Sequence, residues 1–95
     1  MKTENTNENL MSEYAKDPQS GFEHIYRTFA DRLVQYGIHS FRFGAEEAED
    51  AVHEALLPWV QNPVKMRDVK NLKAYLYTSL RNACLKRTGS VRNTV

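Results

Sequence analysis

Apolar side chains return every third or fourth residue through three separate stretches of this chain, and no stretch alternates apolar with polar as a half-buried strand does. That spacing gathers them on one side of a helix, and a helix with one apolar stripe must bury it against another element. The expected fold class is therefore all-α, a compact bundle of three main helices. In the first stretch Phe22, Ile25, Tyr26, Phe29, Leu33 and Tyr36 keep the period. Gly37 costs about 1 kcal/mol inside a helix. Phe41 nevertheless continues the stripe, which predicts a helix to about Arg42, ending before Gly44. Asp17-Pro18 offers a cap with Pro at the first helical position, and Ser20-Gly21-Phe22-Glu23 reads as a capping box.

The second stretch places Ala45, Ala48, Ala51, Val52, Ala55, Leu56 and Trp59 on one side of a helix that runs to about Val60. Pro58 lacks an amide and should kink or loosen its last turn. Residues 61–70, with Pro63 and little periodicity, read as a loop. Asn71 then caps a third helix with Leu72, Leu76, Leu80 and Ala83 as its stripe. The expected core is Phe22, Ile25, Phe29, Leu33, Val52, Leu56, Trp59, Leu72, Leu76 and Leu80. Residues 1–10 carry almost nothing to bury and are expected to be disordered, followed by a short helical turn at Ser12–Lys16. The helical domain is placed at 11–87, and residues 88–95 read as a frayed tail or cut linker.

Ninety-five residues make one domain. No apolar run reaches eighteen residues, and the start, MKTENTNENL, is polar and acidic rather than basic then apolar. A cytoplasmic location with no membrane insertion is the expectation. Cys84 is alone, so it reads as a buried thiol in a reducing compartment. Catalytic patterns are missing from the sequence. His24, His39 and His53 are scattered and read as bystanders, no glycine-rich phosphate loop occurs, and no nucleophile is paired with a base. The chain is expected to be neither an enzyme nor a carrier of cofactor or metal.

Charge is divided along the chain. Residues 1–64 hold five basic residues against eleven acids, whereas residues 65–95 hold eight against Asp68 alone. Such halves suit different partners. On the second helix Glu46, Glu47, Asp50 and Glu54 lie together, Glu49 stands at their margin, and no Lys or Arg occurs between residues 43 and 64. Leu57 falls on the same side, an apolar knob among acids. This is either a solvated face favoured by the positive helix N-terminus or a docking surface for a basic partner. On the third helix Lys73, Tyr77 and Arg81 share a stripe, and Lys65, Arg67 and Lys70 lead into it. Cations with an interleaved ring suit a single nucleic-acid strand; Tyr77 serves equally well as packing at the edge of the core.

Four blocks in order, GFEHIYRTFADRL, EAEDAVHEALL, the basic loop and NLKAYLYTSLRNACL, resemble region two of extracytoplasmic-function sigma factors. The matching positions are Phe22, Glu23 and Tyr26; Ala48, Glu49, Asp50 and Glu54; then Asn71, Ala74, Tyr75, Leu76, Tyr77, Arg81 and Asn82. The resemblance spans about residues 11–87. It implies that the second helix binds the clamp helices of the large β′ subunit of RNA polymerase through Asp50 and Glu54, with Glu47 and Leu57 nearby. It implies also that the loop and third helix open the promoter's minus-ten element and hold an unpaired base of the single-stranded non-template strand. Loop 62–70 would form the base pocket, with Lys65, Arg67 and Lys70 leading into Asn71, and Lys73, Tyr77, Arg81 and Asn82 would hold the strand. The family's helix-turn-helix domain is not in this sequence, and Pro58 interrupts a helix the family usually keeps clean. The resemblance leaves room for an anti-sigma factor without identifying one. The rival expectation is a helical interaction module that docks on polymerase or a regulator and no longer binds DNA.

Overall fold

Asp17 starts the longest helix by accepting a hydrogen bond at its side chain from the Ser20 amide (3.4 Å), with Pro18 at the first helical position. The capping box expected at Ser20–Glu23 does not form, because the helix has already begun and Ser20 Oγ instead donates to Glu13 (3.0 Å). The computed structural model describes residues 7–89 and holds five helices there. These are α1 (Asn7–Lys16), α2 (Pro18–Phe41), α3 (Ala45–Gln61), α4 (Pro63–Met66) and α5 (Leu72–Thr88). Among the described residues there is no strand, so the fold is all-α. No helix among them is long and apolar enough to cross a membrane.

Nine of the ten expected core residues are buried. The exception is Phe22, which is half-buried. Tyr26, on the expected stripe of the first helix, and Ala45, on that of the second, are exposed. Helix α2 ends at Arg42, which takes the left-handed conformation (φ 60°) with its amide bonded to the Gly37 carbonyl. Phe43 follows with its own amide on the same oxygen and its ring in the core, a helix stop that returns the chain toward the bundle. Gly37 lets α3 approach, since a Cβ there would lie 3.2 Å from the Ala48 Cβ. Helix α3 continues through Pro58 to Gln61. Asn71 caps α5 as expected, its Oδ1 accepting from the Ala74 amide (3.0 Å).

The N-terminal part departs from expectation. Helix α1 begins at Asn7 rather than near Ser12, and residues 7–10 are helical rather than disordered; residues 1–6 lie outside the described residues. Leu10, Met11 and Tyr14 are buried, and the Tyr14 hydroxyl donates to the Trp59 carbonyl beside an edge-to-face ring contact. Too few apolar residues stand in this segment to show a period. His24 bonds Glu13 at 2.7 Å, so α1 is clipped to α2, and this contact with that of Ser20 holds the Glu13 carboxyl below its ordinary range. Helix α5 runs past Arg87 to Thr88, with Gly89 as its left-handed cap, and the rest of the expected tail, residues 90–95, lies outside the described residues.

Gly21 is what lets α1 sit so close. A Cβ on it would fall 2.3 Å from the Tyr14 Cα, which is backbone and cannot swing away. Gly21→Ala should therefore destabilise the chain by about 1–3 kcal/mol, although Ala is otherwise the better helix former. Urea unfolding followed by the fluorescence of Trp59 measures it, and a stability gain would show that α1 does not pack in this register.

Candidate functional site

The acidic side of α3 is divided between two neighbours. Glu54 is half-buried toward α5, where its Oε2 meets Lys86 Nζ (3.1 Å) and its Oε1 meets Arg87 Nη2 (3.6 Å). Cations missing from α3's own sequence are thus supplied from α5. Leu57, expected beside Glu54, lies toward α2 instead. It lines a groove of about 310 Å3 with Phe22, Tyr26, His53, Leu56 and Val60. Leu57 is 47% exposed and Val60 58%, so the apolar knob is one member of a patch. Tyr26 and His53 form the groove's wall with stacked rings (centroids 6.2 Å, 24°). Glu46, Glu47, Glu49 and Asp50 are exposed, and none has a cation within ion-pair distance among the described residues.

Sequence reasoning missed Phe22, Tyr26, His53 and Val60 as groove residues. Val60 carried a signal, being apolar three residues after Leu57 on the polar side. Phe22 and Tyr26 did not, because their period placed them in the core.

The segment expected as a loop, 61–70, contains the short helix α4. Met66 is buried and Val69 half-buried, and bonds from the Val69 amide to the Met66 carbonyl (3.1 Å) and from the Met66 amide to the Asn62 carbonyl (3.0 Å) fix the turn. Two apolar anchors in a short segment are enough to pin it while Lys65, Arg67 and Lys70 stay exposed. Lys73 and Arg81 continue this exposed series on α5. Among the described residues none of these five cations has a carboxylate partner, in contrast to Lys86 and Arg87.

Tyr77 is half-buried on the same stripe, with an edge-to-face contact to Tyr36 (5.5 Å, 82°), and Tyr36 meets Phe41 in turn. Asn71 is exposed, but its side-chain oxygen is spent on the cap. Asn82 lies apart from the stripe. It lines a groove of about 220 Å3 between α3 and α5 with Glu54, Pro58, Ser79 and Lys86.

No group of three His, Cys, Asp or Glu side chains among the described residues is arranged to hold a metal ion. Cys84 is buried, and that burial pushes its thiol above its ordinary value against a smaller pull from Arg87. Such a thiol is a poor nucleophile.

Against protein families, residues 25–93 match the model of sigma-70 region 2, well over half the chain. The chain belongs to the sigma-70 region 2 family. The match takes in most of α2, all of α3 and α4, and the described length of α5, the elements that carry both charged surfaces. No curated protein and no solved structure matches the chain significantly. Sigma-70 region 2 is a sigma-factor region involved in binding core RNA polymerase and recognising the promoter minus-ten element. RNA polymerase core and promoter DNA are accordingly the partners of this family, which is one of transcription initiation factors rather than of enzymes.

Proposed function

We propose that this chain is the polymerase-docking and promoter-opening module of an extracytoplasmic-function sigma factor, acting in the cytoplasm. Residues 11–87 would carry both surfaces. In this reading the clamp helices of the β′ subunit dock on α3, where Glu47, Asp50 and Glu54 offer charge. Leu57 and Val60 offer apolar area beside them. The α4 turn and α5 receive the single-stranded non-template strand. Lys65, Arg67, Lys70, Lys73 and Arg81 follow its phosphates, Asn71 and Asn82 offer polar contacts, and residues 62–70 hold an unpaired base. An anti-sigma factor would compete for the docking side.

The observation that carries this reading is the row of five exposed cations without carboxylate partners, on the segments where the family match also lies. A chain whose basic residues served only solubility would gain from pairing them with acids. The half-burial of Tyr77 against Tyr36 favours the rival module that docks without DNA, because a ring engaged in packing offers less area to a base.

Titration of the polymerase-bound chain with single-stranded and duplex promoter fragments separates the two. Each neutralised phosphate contributes roughly −0.7 to the slope of log affinity against log salt for a single strand. Lys73→Ala or Arg81→Ala should flatten that slope by about this amount. Tyr77→Leu, which keeps apolar bulk beside Tyr36 but removes the ring, should weaken binding by about 1–3 kcal/mol with the slope intact if the ring stacks on a base. Equal affinity for duplex and single strand, with no effect of either substitution, would leave the docking-only module as the better account.

A further inference from the structure

Among the described residues the exposed large apolar side chains stand in one neighbourhood: Tyr26, Leu57, Val60 and Val64. The first three line the α2–α3 groove, and Val64 follows on α4, 69% exposed. On α3 the apolar pair extends a charged stripe. Glu46, Glu49, Asp50, His53, Leu57 and Val60 recur at three- and four-residue spacing, so they project from one side of the helix. Beyond them, α4 and the segment after it carry Lys65, Arg67 and Lys70 against Asp68 alone, all exposed. From α3 toward α5 the surface is therefore acidic, then apolar, then basic. Among the described residues none of those three cations, nor Glu46, Glu49 or Asp50, has an ion-pair partner.

We propose that in the free protein a second copy of this chain covers this face, paired antiparallel across a twofold axis near Val60. Charge complementarity selects that occupant. A twofold contact sets one patch against itself in reverse order. The acids of each copy then meet the cations of the other, and the apolar centre meets its like. Parallel pairing would set like charges together and is disfavoured. The contact gives each copy counterions that its own fold does not supply, and it takes Leu57, Val60 and Val64 out of water. A formal net charge of +1 leaves little overall repulsion between copies. The face is small, so the dimer is weak and transient. A copy seated there covers Asp50 and Leu57, so self-association and the docking proposed above exclude one another. The inference does not depend on that docking, because the free chain alone tests it.

Sedimentation equilibrium of the free full chain at low salt, from about 1 µM to 1 mM, spans the range of weak interfaces. The average mass should rise from one chain toward two and level there. Leu57→Asp with Val60→Asp should weaken association at least about tenfold, because unpaired charge must then be buried at the centre of the contact. The decisive arm exchanges charge. Glu49→Lys with Asp50→Lys turns the acidic end of the face basic, and Arg67→Glu with Lys70→Glu turns the basic end acidic. Each of these variants alone should stay monomeric over the same range. An equal mixture of the two should pair about as tightly as the unsubstituted chain, since both ends are complementary again. Circular dichroism checks that each variant keeps its helices. A chain that stays monomeric at the highest concentration overturns the proposal. So does a mass that climbs past two chains, or a mixture no more associated than its components.

Discussion

Phe29→Ala should cost the fold about 3–5 kcal/mol, a large share of the stability of a domain this small. Phe29 is 6% exposed, between Ile25 and Leu33, which are both fully buried on the same stripe of α2. Removing the ring loses its transfer free energy and opens a hole that helices pinned by neighbouring contacts cannot close. Tyr26, three residues earlier and 38% exposed, provides the comparison. Its ring stacks on His53 at the groove wall, so Tyr26→Ala should cost no more than about 1 kcal/mol. Urea unfolding monitored by Trp59 fluorescence reports both. Comparable costs for the two, or a larger one for Tyr26, would mean that α2 is rotated from the register described.

Docking on core polymerase should weaken by about 2–4 kcal/mol, roughly thirtyfold to a thousandfold, in Asp50→Arg with Leu57→Asp. Asp50 is exposed and unpaired, so Arg there turns attraction toward a basic helix into repulsion without disturbing the bundle. Leu57→Asp puts a charge in the apolar groove that the partner must cover, and an unpaired charge buried at an interface is expensive. Glu54→Arg is a worse choice: it would crowd a third cation against Lys86 and Arg87 and strain the α3–α5 contact itself. Titration against purified core polymerase measures the effect, with thermal unfolding as the control for fold. Affinity unchanged in a folded double variant would remove the groove and its acidic margin from the docking surface.

The extent to which these surfaces were legible differs residue by residue. The basic series from Lys65 to Arg81 was readable because exposure needs no partner: a cation with no apolar reason to be inside stays outside. Asn71 was readable as a cap because that bond reaches only to Ala74. The pairing of Glu54 with Lys86 and Arg87 was not legible, since Lys86 lies 32 residues away along the chain. The α4 turn was hidden because a four-residue helix has no period to display.

By itself the sequence determined the all-α class, the three long helices, their registers and most of the core, since apolar spacing and capping residues act within a turn or two of their own position. It determined also that acids collect on α3 and cations from α4 onward, because charge is written residue by residue. Only the tertiary structure decided what those charges face. Glu54 turns to α5 and Leu57 to α2, although both project from one helix only three residues apart, because helix packing fixes which neighbour stands on each side. The place of α1 was decided in the same way. Tyr14 finds the Trp59 carbonyl and the bare backbone at Gly21 only once α2 and α3 are already side by side, a coincidence of three distant segments that no local pattern encodes.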